Sequence, residues 1–118
     1  MLDLLPKEFW TKPHKIFEPS AGKGGFLIDI YYRFFEGLKE LYPNKTERRR
    51  VILEECIYFS EYNPMNVYIC ELLLQSTGTK KCKLNSNCGN TLELDIFKKW
   101  TELKDYGGFD LVIGNPPY

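Results

Sequence analysis

What this chain lacks excludes several classes of protein. It has no net charge: 16 basic and 16 acidic residues cancel, so nothing draws it as a whole toward nucleic acid or a lipid surface, and any partner must be recognised locally. No apolar run approaches the roughly 20 residues of a bilayer span; the longest are stretches such as "ELLL" and "FDLVIG". The start, "MLDLLPKEFW", has no basic segment leading into a long apolar one. A cytoplasmic protein without membrane contact is expected. The four cysteines, Cys56, Cys70, Cys82 and Cys88, form no C-x-x-C pair and match no zinc-ligand spacing, which predicts reduced packing thiols and no metal. The single histidine, His14, has no Cys or carboxylate partner in pattern and receives no chemistry. Internal repeats and low-complexity segments are absent as well.

What is present is a core. A length of 118 residues with 43% hydrophobic and 15% aromatic content supports one domain or part of one. "HKIFEPS" reads as a strand ending near Glu18. From Gly25 the apolar residues Phe26, Leu27, Ile30, Tyr31, Phe34, Phe35, Leu38, Leu41 and Tyr42 recur with helical period, and "YPN" stops that helix. "RVILEECIYFS" reads as a second strand. Asn63 as a cap and Pro64 in the first turn start a helix over "NPMNVYICELLLQ". A weaker third strand lies within "KKCKLNSNCGNTLELD", a short helix or loop over "FKKWTELKDYGG", and a fourth strand, "FDLVI", is apolar enough to be buried on both faces. Arg48, Arg49 and Arg50, and Lys80, Lys81 and Lys83, fall at the amino ends of strands, where solvated surface is expected.

Alternating strands and helices predict an α/β architecture with a parallel sheet, whose ligands bind at the carboxyl ends of the strands. The informative residues fall there: a glycine loop after the first strand, Glu61 after the second, Asp95 past the third and Asn115 after the fourth. In "FEPSAGKGGF", Gly22, Gly24 and Gly25 let a ligand sit against the main chain. A phosphate loop needs Ser or Thr where Gly24 stands, and a dinucleotide fingerprint needs a third glycine near Leu27 with an acid about 20 residues on. Neither fits, which leaves a ligand turn without a phosphate clamp, or a plain glycine-rich turn. Glu61 is placed to accept from both hydroxyls of a ribose, although alone such a residue is more often a solvated loop acid. Tyr62 can cover a purine face, Asp95 can accept from an exocyclic amine, and Phe97 can form an apolar wall beside it. Together they describe a nucleoside site.

The closing "NPPY" makes a rigid acceptor corner, because Pro116 and Pro117 carry no amide hydrogen and restrict the residue before them. The oxygen of Asn115 and a neighbouring carbonyl can each accept one hydrogen of a planar amino group, while Tyr118 lies against its ring. Two acceptors out of the ring plane favour a tetrahedral nitrogen whose lone pair can attack an electrophile in line. A carboxamide is no general base at neutral pH, so Asn115 would position and polarise.

"FEPSAGKGGFL", "SEYNP", "NTLELDIF" and "FDLVIGNPPY", in this order, resemble the S-adenosylmethionine-dependent DNA adenine-N6 methyltransferases of restriction-modification systems, over residues 17–118. The resemblance implies that Phe17, Glu18, Pro19, Ser20, Ala21, Gly22 and Gly24 surround the methionine part of S-adenosyl-L-methionine. It makes Glu61 the ribose acid and Asp95 the residue at the cofactor adenine, with Tyr62, Ile96 and Phe97 also counted as cofactor-binding. Asn115, Pro116, Pro117 and Tyr118 would hold a target adenine flipped out of DNA, which is methylated at N6 without a metal. The implied fold is a partial Rossmann-like class I methyltransferase, with a parallel sheet in order 3-2-1-4, flanking helices and the fourth strand as a bare edge. Residues 1–118 would be the N-terminal half of a catalytic domain, ending at the catalytic motif and inactive alone. A recognition or endonuclease domain would follow, or a second polypeptide would complete the fold. Other acceptors fit the same corner: RNA, cytosine N4, or a protein glutamine amide. A cofactor-binding remnant without turnover is a further alternative, whereas an NAD-dependent enzyme is disfavoured by the missing third glycine.

Overall fold

The computed structural model describes residues 2–113. Two short 3-10 helices, Leu2–Leu4 and Lys7–Thr11, lead into β1 (Ile16–Glu18), α1 (Gly25–Gly37), α2 (Lys45–Val51), a π-helical turn (Ile52–Cys56) and β2 (Ile57–Glu61). There follow α3 (Pro64–Gln75), β3 (Asn85–Cys88), a 3-10 turn (Thr91–Glu93), two short helices α4 (Ile96–Lys99) and α5 (Leu103–Tyr106), and β4 (Leu111–Val112). All pairings are parallel, and the order is β3-β2-β1-β4. The architecture is the expected α/β one.

Every residue of β1 and β2 is buried, so the period of two along these strands divides them between two apolar layers. Ile16, Ile57 and Phe59 pack with Leu27, Ile30 and Phe34 of α1, Cys70 and Leu74 of α3, and the π-helical turn. Phe17 and Tyr58 point the other way, into a smaller cluster with Trp100 and Leu103. Burial of each such large side chain stabilises the fold by about 1.5–3 kcal/mol. The same alternation puts Glu18 and Glu61 on the α1/α3 face, one residue step above the apolar layer.

The fold departs from the expectations in four places. The periodic pattern of α1 runs on to Tyr42, but the helix ends at Gly37, where a Cβ would stand 2.3 Å from the Trp10 carbonyl oxygen. Only the second part of "RVILEECIYFS" is a strand. Asn44 accepts from the Glu47 amide at 2.9 Å and starts a helix, which passes through the π-helical turn before β2 begins at Ile57. Arg48 and Arg49 are buried rather than solvated. Arg48 donates to the carbonyls of Tyr42 (2.9 Å) and Phe35 (3.1 Å), and Arg49 to the Gln75 carbonyl and Thr77 Oγ1 (both 2.9 Å). These are acceptors at and beyond helix ends, which no helix amide satisfies and which a guanidinium with five donors can. Arg50, Lys80, Lys81 and Lys83 do face solvent in whole or part. Finally, β4 is not buried on both faces: Leu111 is half-buried and Val112 is 60% exposed, because among the described residues nothing pairs on its far side.

The cysteines are free, with Cys56, Cys70 and Cys82 buried. His14 stacks on Phe9 with ring centroids 4.4 Å apart, a packing role. Among the described residues no helix is long and apolar enough to cross a membrane.

Candidate functional site

The carboxyl edge of the sheet is roofed by the loop that follows β1. The Ala21 amide donates to the Ser60 carbonyl at 3.0 Å, tying the loop to β2, and the Gly24 amide donates back to the Ala21 carbonyl at 3.0 Å. Gly22 and Gly24 hold φ of +58° and +90°, values that favour glycine. At Gly24 a Cβ would press on Leu73 (3.2 Å) and Cys70 (3.4 Å), which explains the close seat of the loop on α3. At Gly22 nothing lies within 4 Å of the Cβ position, so the outer side of the turn is open.

Two carboxylates support this loop from below. Glu61 Oε1 accepts from the Gly22 amide at 3.0 Å, and its Oε2 accepts from the Asn63 amide at 2.8 Å, with Asn66 Nδ2 at 3.5 Å. Glu18 Oε1 accepts from the Ser20 amide at 2.9 Å. Burial and then the charge of Glu61 push the Glu18 carboxyl up to about 7, against the Ser20 hydrogen bond. Cys70 donates its thiol to the Gly22 carbonyl at 3.2 Å; burial, with Glu61, Glu71 and Glu18 around it, pushes that thiol up to about 11. It is a neutral donor, and Asn63 caps α3 by accepting from the Met65 amide at 2.8 Å.

The residues expected at the site divide into three sets. Glu18 is hydrogen-bonded to Ser20, and Glu61 to Gly22, while Ala21 is tied to the Ser60 carbonyl and to Gly24, with Pro19 in the same loop. Asp95 stands further along the rim, beyond Gly89, whose amide donates to the Glu61 carbonyl at 2.9 Å. Its Oδ1 caps α4 by accepting from Phe97 and Lys98 amides at 3.1 and 3.2 Å, and it borders a groove of about 440 Å³ lined by Asn87, Asn90 and Lys98. Tyr62 is 76% exposed and Phe97 39% exposed, two aromatic faces on that side without cover among the described residues. In contrast, the side chains of Phe17 and Ile96 pack into the lower aromatic cluster, away from the rim, with Phe17 stacked on Phe109 at 4.9 Å. Phe17 can meet a ligand only through its backbone, and its carbonyl already accepts from Ile113 at 3.0 Å. Asn115, Pro116, Pro117 and Tyr118 lie outside the described residues.

Three polar residues that carry no sequence signal pin the loop from its other side. Thr91 Oγ1 donates to the Pro19 carbonyl at 2.5 Å and lies 2.9 Å from Ser60 Oγ, which Asn87 Nδ2 reaches at 3.1 Å. No group of three or more His, Cys, Asp or Glu side chains among the described residues is arranged to hold a metal. A larger groove, about 880 Å³, lies between Trp10 and the outer face of α1 (Tyr32, Arg33, Gly37), and none of the loop or carboxylate residues lines it.

The geometry is therefore a glycine turn with an open outer side, supported by two carboxylates, at the carboxyl rim of a parallel sheet. A solved structure described as a "modification subunit of a putative type I restriction enzyme" from Vibrio vulnificus YJ016 has the same fold: the TM-score is 0.58 at 22% identity, over 96% of this chain. The chain spans 23% of the length of that subunit. Among curated proteins, none matches in sequence. The family described as Eco57I restriction-modification methylase matches residues 55–118, more than half of the chain and the part that runs from the end of the π-helical turn through "NPPY". This chain belongs to the Eco57I restriction-modification methylase family.

Proposed function

We propose that this chain is the cofactor-binding part of an enzyme that transfers a methyl group from S-adenosyl-L-methionine to the N6 amino group of adenine in DNA. The observation that carries the reading is the Gly22 amide to Glu61 carboxylate bond of 3.0 Å, which brings the glycine turn and Glu61 to one point of the rim and supports Glu61 as the ribose acid. The residues present fit this cofactor. The outer side of Gly22 is open to a methionine chain. Two carboxylate oxygens accept about four hydrogen bonds, and Glu61 spends two on the Gly22 and Asn63 amides and a third, at 3.5 Å, on Asn66; Oε1 keeps a lone pair for one ribose hydroxyl, and a second hydroxyl would take the place of Asn66. Asp95 Oδ2, unengaged among the described residues, can take the exocyclic amine, and Tyr62 and Phe97 offer ring faces.

When bound, the cofactor supplies the methyl group; the remaining work belongs to the protein. Asn115 and an adjacent carbonyl hold the two hydrogens of the target amine, which turns the nitrogen lone pair toward the rim, and Tyr118 stacks on the flipped base. Pro116 and Pro117 keep that corner rigid. DNA recognition and the rest of the sheet fall to the remainder of the polypeptide or to a second chain, in keeping with the family and with the small share of the similar subunit that this chain spans.

The test is a transfer assay with the full-length protein, labelled S-adenosyl-L-methionine, and DNA, RNA and protein acceptors side by side. Label recovered from DNA as N6-methyladenine is the expected result. Label confined to RNA, to cytosine N4 or to a protein glutamine overturns the substrate assignment, and cofactor binding without transfer to any of them marks a remnant.

A further inference from the structure

Glu18 is the most deeply buried acid of the site, and among the described residues no cation answers it. Its side chain is 1% exposed and its single protein hydrogen bond among the described residues uses Oε1, leaving Oε2 unengaged. The elements packed around it bring no positive charge. From β2 comes Glu61, a second carboxylate; from α3 come Cys70, a neutral thiol, and Glu71. On α1, Arg33 is held by Asp3 and Asp29. Cys88, Glu93 and Asp95, from β3 and the turns after it, are exposed, as is Lys23 on the loop, and β4 has no titratable residue. Among the described residues no Lys or Arg forms an ion pair with Glu18 or Glu61.

A carboxyl buried beside a carboxylate lowers its energy either by keeping a proton or by facing a cation. The described residues provide only the first. We propose that Glu18 selects the charge of the ligand: it keeps a proton in the free protein and releases it to solvent when a positively charged methyl donor settles under the glycine loop. The exchange balances, since one carboxylic acid and one bound cation become a carboxylate–cation contact and one aqueous proton, with no electron transferred. This inference rests on the cofactor reading above.

The experiment is calorimetric titration of the full-length protein with S-adenosylmethionine in two buffers of different ionisation enthalpy, for wild type and Glu18→Gln. The range is about pH 6 to 7, where the ligand amines stay protonated. Wild type is expected to release close to one proton per donor at about pH 6 and about half of one at pH 7, with affinity rising about fivefold between them. Glu18→Gln should release none and show flat affinity. Donor binding by wild type without buffer-dependent heat, or an equal proton count in Glu18→Gln, overturns the inference and leaves the cofactor reading standing. No donor binding at all overturns both. If Glu18→Gln does not fold, the wild-type proton count and its fall between pH 6 and pH 7 decide the matter.

Discussion

The amide of Gly22 and Oε1 of Glu61, 39 residues apart in sequence, meet at 3.0 Å. One carboxylate at the end of β2 thereby fixes the glycine turn, and the proposed cofactor site makes it the ribose acid. Hydrogen bonds to charged groups contribute about 1.5–3 kcal/mol, so Glu61→Ala should weaken S-adenosylmethionine binding roughly ten- to hundredfold, and Glu61→Gln, which can still accept from Gly22, should weaken it less. Calorimetry on the full-length protein measures the series. Equal affinity in all three proteins would remove Glu61 from the ribose position.

Two adjacent glycines should respond in opposite ways to the same methyl group. Gly24→Ala meets both a positive φ and contacts of 3.2 and 3.4 Å, and should lose about 1–3 kcal/mol. Gly25→Ala, in the first turn of α1 with nothing within 4 Å, should be neutral or gain up to about 1 kcal/mol. Chemical denaturation of the two variants is sufficient, and similar losses in both would contradict the close seat of the loop on α3.

Among the arginines, burial should outweigh charge pairing. Arg49→Met removes the buried guanidinium that donates to the part-buried Gln75 and Lys80 carbonyls and to Thr77 Oγ1, and should cost about 1–3 kcal/mol in all, since hydrogen bonds to a charged group contribute about that much and water can reach some of the freed acceptors. Arg50→Ala removes three ion pairs to Glu47, Glu54 and Glu55 at the surface, and should cost about 1 kcal/mol or less. Denaturation midpoints that rank the two the other way would reject the buried-cation account.

Stability should fall with rising pH through Glu18. In the unfolded chain the carboxyl ionises near 4.5, and in the fold near 7. Below the lower value both states hold the proton and there is no penalty; between the two only the unfolded state releases it, and above the upper value the penalty is complete. Glu18→Gln should therefore melt above wild type at pH 8, with the difference gone by about pH 4. A constant difference across this range would mean that Glu18 is not the group responsible.

Asn115→Ala should separate binding from transfer. Donor affinity should stay within about twofold, because the proposed reading assigns the donor to the glycine loop, Glu61 and Asp95, while methyl transfer to DNA drops by roughly a hundredfold or more. Parallel binding and transfer assays read both, and equal losses in the two would place Asn115 in cofactor binding instead.

The sheet was legible because its signals are local. Asn63–Pro64 marks the start of α3, and the apolar runs before Glu18 and Glu61 end in polar residues at one rim. The segment between Asn44 and Ile57 was misread because a short apolar run such as "RVIL" suits a buried strand or a helix equally; the pair Asn44 and Glu47, three apart, was the available helix-start signal. Nothing in sequence could announce that Arg48 and Arg49 turn inward, since their partners are carbonyls set by the fold of distant turns. Within the site, Glu61 and the glycines could be read from position after a strand. Thr91 could not, because its contact with Pro19 spans 72 residues and depends on where the chain returns after β3.

The two layers over the sheet are unequal. One holds α1, α2 and α3; the other, under Phe17 and Tyr58, is held by Trp100 and Leu103 on or beside two four-residue helices. Amide hydrogen exchange should therefore be fastest in residues 90–110 and slowest in β1 and β2, so that the Asp95 side of the rim opens and recloses on a frame that stays shut. A purine wedged there would act as a missing strut: it would slow exchange in that segment first, and the protected amides would trace the imprint of the ligand.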